Sequence, residues 1–305
     1  MIKRIKNKIS KPNTDLLLEK LGFKTKIIVI KYGGNAMLDD DLKASVAEDI
    51  VELKQMGLHP IIVHGGGPAV SSQMDKEGLE PEFVHGQRKT DEETLDIAEM
   101  VLSGKVNKEL VGLINEQKGK AVGISGKDGC LVKSRKRKKE VKVNDKVKKV
   151  DLGRVGEVYH VDTTLIETLI NKDFIPVISP ICSGDDKGDF NVNADILAGE
   201  IASALKADSL LYLTNVDGIR QSKDDEKTRL KKIHIGKAES LLGSVIKGGM
   251  IPKVESAVKA IKEGVETVRI IDGTVKHSIK QSFEKSSDYG TVLYSKKGEV
   301  EENGI

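Results

Sequence analysis

IVIKYGGNAM, residues 28–37, continues from Ile27 an apolar run of four that meets Lys31 and then, one residue later, two glycines. A short apolar run with no polar alternation is the pattern of a strand buried on both faces. A lysine at its end is costly unless an anion meets the ammonium group. Further runs of the same kind follow: HPIIVHGGG (59–67), AVGISGKDG (121–129), FIPVISPI (174–181), DSLLYLTNVDG (208–218) and TVRIIDG (267–273). Each ends at Gly or Pro, and helical patterns lie between them, which predicts an α/β fold with a mostly parallel sheet covered by helices.

Between the first two runs, Leu42, Val46, Ile50 and Leu53 recur at helical spacing, with acids at 39–41 to open the helix and Gly57 to close it. Pro68 fits the first turn of the next helix. TDEE at 90–93 reads as a capping box with Thr90 at the N-cap and Glu93 at N3. Residues 1–26 are charged and helix-leaning and read as an appendage. A second set of strands and helices begins near residue 204, which divides the rest into units 27–203 and 204–305.

At 305 residues the chain can bury a substantial core, and with 3% aromatics and no Trp that core must be aliphatic. Stacking on nucleic-acid bases is therefore not expected. No apolar run approaches the roughly 20 residues of a membrane span, and the basic start lacks a signal-peptide core, so a cytoplasmic protein is expected. Cys130 and Cys182 read as reduced thiols, and neither they nor the six histidines have metal-ligand spacing. The net charge is +3, but Lys133–Lys149 holds ten Lys or Arg against two acids, a local +8 that leaves −5 for the rest. That segment reads as a solvated β-hairpin or loop, with a docking patch for an acidic partner as the alternative.

Glycine turns at KYGGN (31–35), HGGGP (64–68) and KGGMIPK (247–253) are read as three strand ends whose bare backbone N–H groups suit phosphate or carboxylate oxygens. His64 beside the second reads as structural, with a place bordering the substrate pocket as the alternative. Familiar phosphate motifs are absent: Val70 stands where a dinucleotide fingerprint needs glycine, and Asp128 where a P-loop needs Ser or Thr.

KYGGNAM (31–37), VHGGGP (63–68), GQRKTDEETL (86–95), VDLGRVGEV (150–158), NVNAD (191–195), LTNVDGI (213–219) and GGMIPKV (248–254) stand in the order of the acetylglutamate kinases, which the chain resembles over about residues 27–295. The resemblance implies a three-layer αβα open sandwich, an N-terminal unit that holds acetylglutamate and dimerises, and a C-terminal unit that holds ATP. By it, Lys31 and Lys253 bracket the moving phosphoryl group and Asp195 holds both. Gly66, Gly67, Arg88 and Asn191 bind the amino-acid substrate. Gly33, Gly34, Asn215, Val216, Asp217, Gly218, Ile219, Lys247, Gly248 and Gly249 lie at the nucleotide.

ATP enters with Mg²⁺ as a substrate complex, with no tightly bound cofactor and no metal held by the protein alone. No nucleic acid or membrane is implied. A homodimer is expected, with residues 1–26 as the element that would link dimers into a hexamer. His277 matches a residue near the arginine-feedback site of regulated members, whereas Ser287 replaces the acid of the regulated pattern. Two rivals remain: a kinase for aminoadipate or glutamate carried on a small acidic protein, and a non-catalytic sensor on the same scaffold.

Overall fold

The computed structural model describes residues 26–84, 87–143, 146–185, 188–222, 225–283 and 288–295. Most of the expected appendage (1–25), the tip of the basic hairpin (144–145) and Ser287 lie outside the described residues.

β1 (Ile27–Tyr32) passes through a 3-10 turn at Gly34–Met37 into α1 (Asp40–Gln55), and β2 (His59–His64) runs into α2 (Gly67–Lys76). A small hairpin of β3 (Phe83–Val84) and β4 (Gln87–Arg88) precedes α3 (Glu92–Glu99), a π-helical segment Met100–Val106 and α4 (Asn107–Glu116). Next come β5 (Ala121–Ser125), the hairpin β6 (Val132–Val143) and β7 (Lys146–Val161), α5 (Thr164–Asn171), β8 (Ile175–Ser179), β9 (Ile181–Gly184), β10 (Asp189–Val192) and α6 (Ala194–Leu205). The chain closes with β11 (Ser209–Thr214), β12 (Lys232–His234), α7 (Ile235–Leu241), α8 (Met250–Lys262), β13 (Thr267–Asp272), α9 (Ser278–Phe283) and β14 (Thr291–Tyr294).

One eight-stranded sheet orders the strands β12-β14-β13-β11-β1-β2-β8-β5, with every neighbouring pair parallel except β13 with β14. The first stretch of sequence thus sits at the sheet's centre. Its residues alternate between two apolar layers: Val29 packs with Leu197, Ala198 and Val254 of α6 and α8, while Ile28, Ile30 and Tyr32 pack with Val46, Ile50 and Leu110 of α1 and α4. Two cores on opposite faces of one sheet make the three-layer αβα sandwich. A second, four-stranded sheet closes on itself in the order β10-β7-β6-β9.

Helix α1 begins and ends where the sequence places it: Asp39 accepts from the Leu42 amide at 2.9 Å as N-cap, and Gly57 has φ 88° beyond the C-cap. Two local readings need correction. The N-cap of α3 is Asp91, which accepts from the Thr94 amide at 2.8 Å, and not Thr90. Thr90 is drawn away because its N–H donates to Leu152 O (2.9 Å) and its carbonyl accepts from Arg154 N, both on β7.

KGGMIPK does not follow a strand either. Leu241–Ile246 turns tightly after α7, with Gly243 N donating to Ile246 O at 2.9 Å, and the glycines lead straight into α8. Residue 204 falls in the last turn of α6, and the next strand, β11, lies against β1. The basic segment is a hairpin, pairing Val132 with Val161 through to Val143 with Lys146. At its base Arg135 meets Glu157 (3.4 Å) and Lys136 meets Asp151 (2.8 Å), so part of its charge is offset. No helix among the described residues is long and apolar enough to cross a membrane.

Candidate active site

Lys31 is the last residue but one of β1, on the face that carries Val29 and therefore α6. Asp195 lies in the first turn of α6, where Asn193 caps the helix by accepting from the amides of Asp195 (2.9 Å) and Ile196 (3.2 Å). Lys253 lies in the first turn of α8. The three converge: Lys31 Nζ is 2.9 Å from Asp195 Oδ1, and Lys253 Nζ donates to Asp195 Oδ2 at 2.5 Å. All three side chains are nearly buried, at 10%, 14% and 8% exposure for Lys31, Lys253 and Asp195.

Burial alone would raise the Asp195 pKa, but the two ammonium groups pull it below the ordinary 3.8, so it is a carboxylate. Burial, aided by the Lys31 charge, holds Lys253 below the usual 10.5 against the pull of Asp195. The cluster carries two cations and one anion, an excess of positive charge that suits a phosphate.

A second layer holds this geometry. Ser256, one turn after Lys253 on α8, donates to the Asp195 carbonyl at 3.1 Å and accepts from the Tyr212 hydroxyl at 2.9 Å. The helices approach so closely here that a Cβ on Gly199 would lie 2.2 Å from Ser256 Oγ. Spacing along the chain signals neither Tyr212 nor Ser256, because the contact joins β11, α6 and α8.

The glycines have specific tasks. A Cβ at Gly33 would stand 2.8 Å from Lys31 Nζ, so the bare backbone leaves room for the amine. Gly34 has φ 78°, and its missing Cβ clears Asn215 Oδ1, which brings the LTNVDGI turn beside KYGGN. Gly66 has φ 153° and ψ 23°, caps α2 and leads to the exposed Gly67.

Arg88 on β4 is 9% exposed, donates to Gly67 O (3.0 Å), Ser71 Oγ (2.7 Å) and Met74 Sδ (3.1 Å), and stacks over Phe83. Its five N–H groups exceed those three acceptors. Asn191 is half-buried on β10, between β7 and β9.

The residues expected at the nucleotide divide. Val216 is 39% exposed, and Lys247, Gly248 and Gly249 are exposed ahead of α8. Asp217 is instead engaged by Arg220 (2.8 Å) and Arg229 (3.4 Å), and the Ile219 amide donates to Thr291 Oγ1 at 2.8 Å. Gly218 packs against the same threonine at φ 139°. These three shape the turn from within. A cavity of about 190 Å³ lies on the opposite face of the β1 end, lined by Tyr32, Lys43, Gly66, Pro68 and Glu109, and not at the lysine cluster. No group of three His, Cys, Asp or Glu side chains able to hold a metal occurs among the described residues.

Fold and motif order agree with a match of residues 26–272 to the amino acid kinase family, and the chain belongs to that family. Its relatives include the acetylglutamate kinase of Aquifex aeolicus, 49% identical over 278 residues, covering 89% of this chain and 92% of that protein. The acetylglutamate kinase of Methanocaldococcus jannaschii is 46% identical over 286 residues, covering 92% and 95%. Among solved structures, N-acetylglutamate synthase from Neisseria gonorrhoeae, complexed with coenzyme A and N-acetyl-glutamate, superimposes with a TM-score of 0.75 at 22% identity. That match covers 92% of this chain and 62% of the synthase, and at such identity it speaks for the fold alone.

Proposed function

We propose that this chain transfers the γ-phosphoryl group of ATP to the side-chain carboxylate of N-acetyl-L-glutamate, making the acyl phosphate of arginine biosynthesis. The observation that carries the reading is the Lys31–Asp195–Lys253 cluster at the glycine turns, in a chain whose relatives are acetylglutamate kinases. The acceptor oxygen is already an anion at neutral pH, so no base has to remove a proton. One carboxylate oxygen forms a bond to Pγ while the bond from Pγ to the bridging oxygen breaks, and ADP leaves with that electron pair.

The chemistry then asks for alignment of two repelling anions and for positive charge around the moving group. Lys31 and Lys253 supply that charge, and Asp195 restrains two side chains that would otherwise be free to rotate. Arg88 offers a fork to the α-carboxylate, Asn191 an amide, and Gly66 and Gly67 backbone donors where the substrate's side-chain carboxylate meets the transferring phosphoryl group. Asn215 and Val216 border the nucleotide beside Gly33 and Gly34, with Lys247–Gly249 closing over it. Mg²⁺ comes with ATP, held by the phosphate oxygens, since Asp195 is committed to two ammonium groups. The reading extends to a cytoplasmic homodimer built on the unit 27–203, with 204–305 as the nucleotide unit.

Purified protein with ATP, Mg²⁺ and hydroxylamine should yield acyl-hydroxamate from N-acetylglutamate, and little from glutamate or N-acetylaminoadipate. No hydroxamate from any of the three would remove the kinase reading. A preference for the longer acid would instead favour the carrier-linked aminoadipate reading.

A further inference from the structure

We propose that His64 is a positioning residue: its imidazole, itself oriented by Asn107, fixes the plane of the Gly65–Gly66 peptide and so aims the Gly66 N–H at the transferring phosphoryl group. The inference deepens the kinase reading above and rests on it.

His64 ends β2 and is fully buried. Its Nδ1 lies 2.8 Å from Gly65 O. A carbonyl only accepts, so Nδ1 carries the proton. In the neutral ring Nε2 is then an acceptor, and what meets it at 3.1 Å is the Asn107 amide nitrogen. Asn107 is 1% exposed, and its orientation is fixed independently: Nδ2 also donates to Val177 O at 2.9 Å, and Oδ1 accepts from Lys108 Nζ at 3.1 Å. The chain of donors therefore runs in one sense, from Asn107 to His64 to Gly65 O. Burial, with the Lys108 and Lys31 charges adding to it, lowers the His64 pKa to about 4, which keeps the ring neutral at neutral pH, and the two hydrogen bonds select the tautomer.

Across a trans peptide the C=O and the following N–H point in opposite directions. Holding Gly65 O against the imidazole therefore turns the Gly66 N–H away from it, to the other side of the loop. The Gly65 amide is pinned as well, donating to Tyr32 O at 2.8 Å. Gly66 cannot be braced by a side chain of its own. At φ 153° only glycine fits comfortably, and a Cβ would stand 2.7 Å from Leu102 Cδ2. The imidazole supplies the rigidity that the glycine lacks. A flipped peptide would present a carbonyl oxygen to the phosphate and repel it.

Substitution separates this role from simple packing. Asparagine places its amide nitrogen where Nδ1 was and keeps the donor to Gly65 O, whereas glutamine reaches only the Nε2 position and leucine offers no donor. Because removing one oxyanion donor costs roughly 10²–10³ in kcat, loosening one should cost about 30-fold, so His64→Leu and His64→Gln should lose about that much kcat with KM for both substrates within about twofold. His64→Asn should stay within about threefold of the parent. Binding of ADP with aluminium fluoride and N-acetylglutamate, which mimics the transferring group, should weaken in step with kcat, while binding of ADP alone should not change.

Equal losses in His64→Asn and His64→Leu, or full kcat in His64→Leu, would overturn the proposal. Should His64→Leu fail to fold by circular dichroism, Asn107→Ala carries the test, with an expected fall of about fivefold in kcat at unchanged KM. An unchanged kcat there would overturn it equally. Active parent enzyme with indifferent variants refutes this role alone, whereas an inactive parent refutes the kinase reading with it.

Discussion

At the scale of single residues, the parts proposed to do the work are one carboxylate, Asp195, and the two amines paired with it, Lys31 and Lys253. Lys253→Ala should lower kcat by about 10² or more with much smaller changes in KM, because its contact strengthens as the phosphoryl group moves; steady-state kinetics checks this. The pH profile follows from the same environment. In the proposed role Lys253 acts protonated, and its pKa in the ligand-free protein lies below 10.5, so kcat/KM should decline on the alkaline side before that value is reached. Asp195 lies below 3.8, so its pairing is fully present above 3.8 and is lost only as pH falls through its lower folded value; no acid limb from it should appear between pH 5 and 7. Removing that acid leaves two buried cations unpaired, and Asp195→Asn should cost about 3–5 kcal/mol in denaturant unfolding as well as turnover. That Lys31, Asp195 and Lys253 meet was legible through the resemblance, since each sits in one of its quoted motifs. The Thr90 cap was misread because the strand that claims its backbone lies sixty residues further on, and the link from His64 to Asn107 has no linear signature.

Among the elements, the decisive junction is where α6 meets α8. Gly199→Ala pushes a methyl group into Ser256 Oγ and should destabilise by about 1–3 kcal/mol, lowering kcat because Asp195 and Lys253 separate. Ser256→Ala alone should cost about 1 kcal/mol through its lost hydrogen bonds. The double variant should be more stable than the sum of the two, since shortening Ser256 makes room for the methyl; thermal unfolding of the four proteins measures the coupling. Helix α1 could be read residue by residue because its cap, periodicity and stop are all local. The start of α8 could not, since its glycines follow a turn whose hydrogen bonds, and not its composition, separate it from a strand end.

For the whole molecule, apolar runs and glycine stops sufficed to expect a parallel sheet between helical layers, since buried strands carry their burial in their own composition. Strand order and the closed four-stranded sheet were not legible, because they depend on pairings between distant segments. The basic hairpin joins the apolar core at its base through Val132 and Val158, while residues 138–149 form its far end, and replacing them by a two-residue turn should leave turnover of free N-acetylglutamate within about twofold, as expected for a connecting segment away from the site. A tenfold loss in a coupled ADP assay would place the hairpin among the working parts. Finally, Lys31 and Tyr32 are neighbours aimed at opposite sides of the central strand: one amine towards Asp195, one phenol into the layer of α1, where it donates to Ala36 O. Sliding β1 by a single position would drive the ammonium group into oil and leave the carboxylate facing a ring. The same charge that is proposed to serve the reaction therefore proofreads the alignment of the strand that carries it, so misthreaded chains are penalised before any substrate arrives.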